Sequence, residues 1–183
     1  ISVTGVQTCA LPIFEIPERH PLAPKPGEEI PSHLNMCFGC GSDHPTGLHM
    51  RSIAGEGLTA TCEFTVTEMH QGAPGLAHGG LLSLAFDEAL GKLMYLLQVP
   101  AVTGHLDTDF IKPIPVGSTL FINARVTGQE RRKVYTEAEG RLNSPDGELA
   151  LKASALYVVV GIEHFVKNAA DGFINDKMFG INP

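Results

Sequence analysis

Between Leu81 and Leu97 the chain reads LLSLAFDEALGKLMYLL, and on a helix this segment is apolar almost all the way round. Leu81, Leu82, Leu84, Ala85, Phe86, Ala89, Leu90, Leu93, Met94, Leu96 and Leu97 leave one narrow small-and-polar stripe. That stripe is Ser83, Asp87 and Gly91, spaced i, i+4, i+8. A helix of this kind cannot rest on a surface, where half of it would face water, so it must be wrapped by the rest of the chain. Asp87, Glu88 and Lys92 interrupt the run, which rules it out as a membrane span. The helix is predicted to open near His78 and to run to about Leu97, with Pro100 as its stop.

The remaining pattern supplies the wrapping. Leu58, Ala60, Cys62, Phe64 and Val66 alternate with Thr59, Thr61, Glu63 and Thr65, the period of a half-buried strand. A short strand is expected within Gly47 to Ile53, and Gly55-Glu56-Gly57 turns it back on the next. After the helix come strand-like runs at Val102 to Ile111, Ser118 to Thr127, Val134 to Leu142 and Glu148 to Val160. One early hairpin, one buried helix and a meander of strands make an α+β domain: an antiparallel sheet curled around its helix. This domain is expected over residues 37–160. Residues 14–36, with Pro17, Pro21, Pro24, Pro26 and Pro31, read as an extended arm lying on or beside it. Residues 161–183 read as a tail packed on the body or on a partner subunit. Residues 1–13 look like a translated sequencing adapter, which makes this an environmental (metagenomic) reading frame whose true start is lost.

Charge and cysteine content narrow the functional classes. A formal net charge of −7 gives no basic surplus for phosphate neutralisation, which argues against nucleic acid, and no apolar run reaches membrane length. Apart from Cys9 in the adapter-like start, Cys37, Cys40 and Cys62 with no export signal favour a reduced, cytoplasmic setting. Cys37 and Cys40 have metal-ligand spacing, with His44 and His49 close behind. Without a second such pair, the expectation is a tight glycine-containing turn, no metal and no cofactor.

The chemistry concentrates where the helix begins. Gly75-Leu76-Ala77-His78-Gly79-Gly80 is a glycine-rich turn into a helix N-terminus, where backbone N–H groups lack intrahelical partners and the dipole is positive. Such an end can polarise a carbonyl, and Asp87 further along is an acid in apolar surroundings. Nine residues of helix carry Asp87 roughly 13 Å from His78 and turn it by about half a revolution. One helix cannot present both ends to one carbonyl, whereas two antiparallel helices related by a dimer axis can.

His78-Gly79-Gly80 followed by Asp87 resembles the signature of the hotdog-fold acyl-CoA thioesterases. The groups it resembles are the bacterial phenylacetate-pathway enzymes and the thioesterase superfamily member 4 group. The likeness extends to Cys37-Phe38-Gly39-Cys40-Gly41, Gln71-Gly72-Ala73-Pro74-Gly75 and Phe110-Ile111-Lys112-Pro113-Ile114-Pro115. It implies the hotdog fold, a homodimer or homotetramer, and an acyl-CoA substrate cleaved to free acid and coenzyme A. It also implies Asp87 as general base or nucleophile, with Thr103, sixteen residues on, positioning the water. The N–H of Gly80, assisted by Gly79, is expected to polarise the carbonyl, and His78 to orient the loop. The phenylacetate-pathway enzymes carry an asparagine where this chain has Gly72, and Gln71 offers a similar amide beside it. Alternation along the strand groups Thr103 with His105, Asp107 and Asp109. Ser83 lies on the Asp87 stripe, and Lys112, Arg131 and Arg132 are cations that could meet coenzyme A phosphates. Leu81, Leu84, Phe86 and Met94 are candidate acyl-pocket residues. The alternatives are a non-catalytic acyl-CoA binding or sensing module, and a hotdog hydratase or dehydratase using His70 with Glu88.

Overall fold

A computed structural model describes residues 14–173. The adapter-like stretch 1–13 and residues 174–183 of the expected tail lie outside the described residues. Six strands form one antiparallel sheet: β1 (Arg51–Ala54), β2 (Thr59–Thr65), β5 (Ala101–Phe110), β6 (Thr119–Glu130), β7 (Lys133–Leu142) and β8 (Leu149–Val159), in the order β1-β2-β6-β7-β8-β5. The short strands β3 (Gln71–Ala73) and β4 (Leu76–Ala77) make a separate hairpin that sequence periodicity was too brief to reveal. The helical run begins at Gly79, as α1 (Gly79–Gly91) and α2 (Leu93–Leu97), and ends on Gln98 in the left-handed region. Among the described residues no helix is long and apolar enough to cross a membrane.

The apolar circumference of the helix is used as its pattern demands. Leu82, Ala85, Phe86, Ala89 and Leu90 are buried against the inward residues of the strands, including Leu120, Ile122, Val134, Ala138 and Leu151. Phe86 is fully buried, and a Cβ on Gly140 of β7 would stand 2.8 Å from its ring. A glycine there lets the sheet close over the largest side chain of the helix. Truncating such a phenylalanine typically costs about 3–5 kcal/mol. The break between α1 and α2 falls at Lys92, whose buried ammonium reaches Pro31 O at 2.9 Å and Glu88 Oε1 at 3.3 Å.

The proline-rich segment runs along the domain. Ile30 is buried, Glu29 bridges to Ile53 in β1, and His20 N–H donates to Leu96 O. At the other end α3 (Ile162–Asn168) has no fully buried residue, and Phe165 is half-buried. Two sheet edges result, β1 and β5, and β5 is the longer.

Candidate active site

The loop before α1 is fastened by its own side chains. Gln71 donates to Glu68 O at 3.1 Å and accepts the Gly75 N–H at 2.8 Å, which holds the turn at Gly75 with its positive φ of 74°. The amide expected to meet substrate is therefore spent on the β3–β4 turn. A Cβ on Gly72 would lie 2.7 Å from His78 Cα, so an asparagine could not occupy that position without moving the backbone. His70, 5% exposed, accepts the Thr67 N–H on Nδ1 at 3.0 Å, and burial lowers its pKa. It is a neutral structural histidine.

His78 caps α1. Its Nδ1 accepts the Gly80 N–H at 2.9 Å, and its carbonyl takes the N–H groups of Leu81 and Leu82. The Gly80 donor is thus already occupied. The Gly79 N–H has no partner among the described residues, and a side chain there would meet only the edge of Phe110 at 3.6 Å. Gly79, Leu82, Phe110, Ile111, Lys112 and Ile114 line a groove in front of this helix end. Lys112, which sits in it, is ion-paired with Glu148.

Asp87 is half-buried near the other end of α1 and held by two hydroxyls. Thr103 donates to Oδ1 at 2.8 Å, and Tyr157 donates to the same oxygen at 3.0 Å and to the Asp87 carbonyl at 2.7 Å. Oδ2 has no partner among the described residues. Burial, reinforced by the Asp87 charge, raises the Tyr157 pKa far above the usual phenol range, so the hydroxyl remains a donor. Thr103 and Tyr157 are register partners on β5 and β8, which explains how both reach one carboxylate oxygen.

The alternation expected along β5 is broken. Between Thr103 and His105 the register shifts, so Gly104 is an extra residue facing no partner: Thr103 pairs with Tyr157 and His105 with Leu156. One inserted residue reverses which side chains share a face. Thr103 therefore shares a face with Leu106 and Thr108, and His105, Asp107 and Asp109 point to the other side of the sheet. Tyr157 was missed because an aromatic in a strand reads as core. Its signal was the register opposite Thr103, which a linear reading does not contain.

The other candidates fall in different places. Ser83 is half-buried one turn before Asp87 on the same stripe. Arg131, with a left-handed φ of 54°, and Arg132 form the exposed β6–β7 turn, just beyond the row Val134–Tyr157–Thr103. They stand at the Asp87 end of the sheet, whereas Lys112 stands at the Gly79 end. Phe86 and Met94 are buried in the core, so only the half-buried Leu81 and Leu84 remain available to a ligand. His44 packs against Phe38 with tilted rings, and His49 bonds the Gly41 carbonyl at 2.9 Å, so neither stands with Cys37 and Cys40. Glu88 pairs with Lys92 and approaches Cys37 while His70 is bound to Thr67, so the two are not a catalytic pair.

Residues 74–147, which carry the capping loop, α1, β5 and β6, match the Thioesterase superfamily. An acyl-coenzyme A thioesterase THEM4 from Xenopus laevis is 32% identical over 97 residues, covering 53% of this chain and 43% of that protein. The chain thus spans less than half the length of the curated relatives it matches. Among solved structures, the thioesterase superfamily protein RHA08564 superposes with a TM-score of 0.62 at 22% identity, over 68% of this chain and 60% of that one. A hypothetical thioesterase from Streptococcus pneumoniae TIGR4, solved with coenzyme A, gives 0.53 at 21% identity, over 56% and 82%. These superpositions establish the hotdog fold: a curled antiparallel sheet around one central helical run.

Proposed function

We propose that this protein hydrolyses acyl-CoA thioesters to the free acid and coenzyme A, in sites shared between two copies of the chain. The observation that carries the reading is the fixed carboxylate. Two hydroxyls hold Asp87 Oδ1, and Oδ2 is left to take a proton from water. Hydroxyl donors to one oxygen fix the carboxylate plane without neutralising the other oxygen, the arrangement a general base needs. The superfamily match over residues 74–147 and the THEM4 relative support the reaction class, and the coenzyme A in the pneumococcal structure supports the substrate class.

The second half of the chemistry requires a polarised carbonyl. In place of the Gly80 N–H, the unpartnered Gly79 N–H is the donor, aided by the positive helix end. Eight residues of helix separate Gly79 from Asp87, roughly 12 Å along the axis, too far for one thioester carbon. Pairing two copies with antiparallel central helices brings the Gly79 of one beside the Asp87 of the other. The uncovered β5 edge and the small-residue stripe Ser83, Asp87, Gly91 favour that pairing. In such a dimer Lys112 of one copy and Arg131 and Arg132 of the other approach the same site, where they can meet coenzyme A phosphates. The half-buried Leu81 and Leu84 would meet the acyl group.

The test is thiol release from a panel of aliphatic and aryl CoA thioesters by the parent and by Asp87→Asn. Turnover that falls by at least about a hundredfold in the variant, with unchanged dimerisation, supports the assignment. A parent that binds the esters without hydrolysing any of them overturns it in favour of a binding module.

A further inference from the structure

Outside the proposed active site, four side chains from three segments converge on one point. His33 lies in the proline-rich arm, Cys37 and Cys40 in the turn that follows, and Glu88 on α1, one residue past Asp87. One ligand atom from each of the four lies within 4.8 Å of all the others. Cys40 Sγ is 3.6 Å from His33 Nδ1, and Cys37 Sγ is 3.4 Å from Glu88 Oε2. In a tetrahedral zinc site, bonds of about 2.0–2.3 Å put neighbouring ligand atoms roughly 3.3–3.8 Å apart. The two contacts fall within that range.

The surroundings are built for the same geometry. Gly41 N–H closes the turn on Cys37 O at 2.8 Å, and a Cβ on Gly41 would stand 2.2 Å from Asn35 O. A Cβ on Gly39 would stand 2.4 Å from Glu88 Oε2, so a side chain there would push the carboxylate out of the cluster. Ser32 Oγ contacts Cys40 Sγ at 3.2 Å, a hydroxyl able to donate to a thiolate, as partners outside a metal's own ligand set commonly do. Glu88 divides its oxygens, giving Oε1 to the buried Lys92 ammonium and turning Oε2 toward the sulfurs. Two thiolates and one carboxylate carry three negative charges, which a divalent ion and Lys92 balance without remainder.

We infer that His33, Cys37, Cys40 and Glu88 form a structural zinc site that fastens the proline-rich arm to the central helix. Two thiolates and an imidazole select zinc over magnesium or calcium, and four protein ligands leave no open position for substrate. The site departs from the metal-free turn expected of the cysteine pair, and it does so through His33, four residues before Cys37, and through Glu88, which is remote in the chain. It stands independently of the thioesterase reading, since its readout is metal content.

The experiment is elemental analysis of the full chain after expression with zinc and exhaustive dialysis. The expected result is about one zinc per chain in the parent, and loss of most of it in Cys40→Ser and in His33→Ala. Because those variants can fail to fold, the parent is also stripped by chelator and titrated with Co2+. An intense thiolate-to-cobalt charge-transfer band, and a Tm at least about 5 °C higher in the metal-loaded than in the stripped protein, support the site. A parent without zinc that gives no such band overturns it. So does zinc retained in full by the Cys37→Ser/Cys40→Ser double variant. A Cys37–Cys40 disulfide in protein purified without oxidant, seen as two missing thiols, assigns the pair to redox chemistry instead.

Discussion

Replacing Tyr157 with phenylalanine removes one oxygen and leaves the ring, and with it the packing, in place. The lost hydroxyl donates to Asp87 Oδ1 at 3.0 Å and to the Asp87 carbonyl at 2.7 Å, while Thr103 keeps its bond to Oδ1 at 2.8 Å. A hydrogen bond to a charged group contributes about 1.5–3 kcal/mol, which spans roughly 10- to 150-fold in rate if all of it serves positioning. Thr103 still holds the same oxygen, so the expected loss in kcat is near the lower end, about tenfold, with KM little changed. Thr103→Val should behave alike, and the double variant should lose more than the product of the two single losses, because either hydroxyl alone still orients the carboxylate. Added to Asp87→Asn, Tyr157→Phe should cost nothing further, since the group it positions is gone. Steady-state thiol-release kinetics on the parent and these variants, with Tm as a check on folding, provide the readout. The reasoning is refuted if Tyr157→Phe keeps kcat within twofold of the parent, or if its loss multiplies with that of Asp87→Asn.

Gly79→Pro should abolish the proposed carbonyl donor without harming the helix. Proline suits the first helical position, and His78 already has the extended ψ of 129° that precedes it comfortably. Loss of one such donor predicts a fall of about 100- to 1,000-fold in kcat, whereas Gly79→Ala, which keeps the N–H, should remain within about tenfold. Gly72→Ala forces a Cβ to within 2.7 Å of His78 Cα and should destabilise the protein by about 1–3 kcal/mol in denaturant melts, with the capping loop displaced. Burial lowers the His70 pKa below its unfolded value, so its contribution to stability is intact above about pH 6.5 and fades as pH falls toward the folded value. The Tm of the parent should therefore drop more steeply than that of His70→Gln between about pH 7 and pH 5.

Much of this architecture was legible in the chain itself. The apolar circumference of Leu81 to Leu97 demanded a wrapped helix, and strict alternation such as Leu58 to Val66 marked the strands that do the wrapping. The acid on the narrow stripe stood out because its neighbours are apolar. What stayed hidden depended on contacts between distant segments. Gly104 looks like any glycine in a strand, yet as an inserted residue it reverses the phase of Thr103. Tyr157 is an unremarked aromatic until its register places it across from Thr103. The amide of Gln71 and the N–H of Gly80 were both reasonable substrate contacts by residue type, and each is taken up inside its own loop. His33 stands only four residues before Cys37, within ordinary metal-ligand spacing, whereas Glu88 lies 51 residues beyond Cys37 and is brought to the cluster only by the fold.

The most direct test of the shared site is complementation between two inactive variants. Asp87→Asn and Gly79→Pro, coexpressed with different tags and purified as the heterodimer, leave one site with both the native Asp87 and the native Gly79. The account predicts recovery to about half the parent's thiol-release rate per dimer from two proteins that are each nearly inactive alone. A stable heterodimer with no recovery would show that Gly79 and Asp87 do not serve one carbonyl across the subunit interface, and the account would fail at its centre.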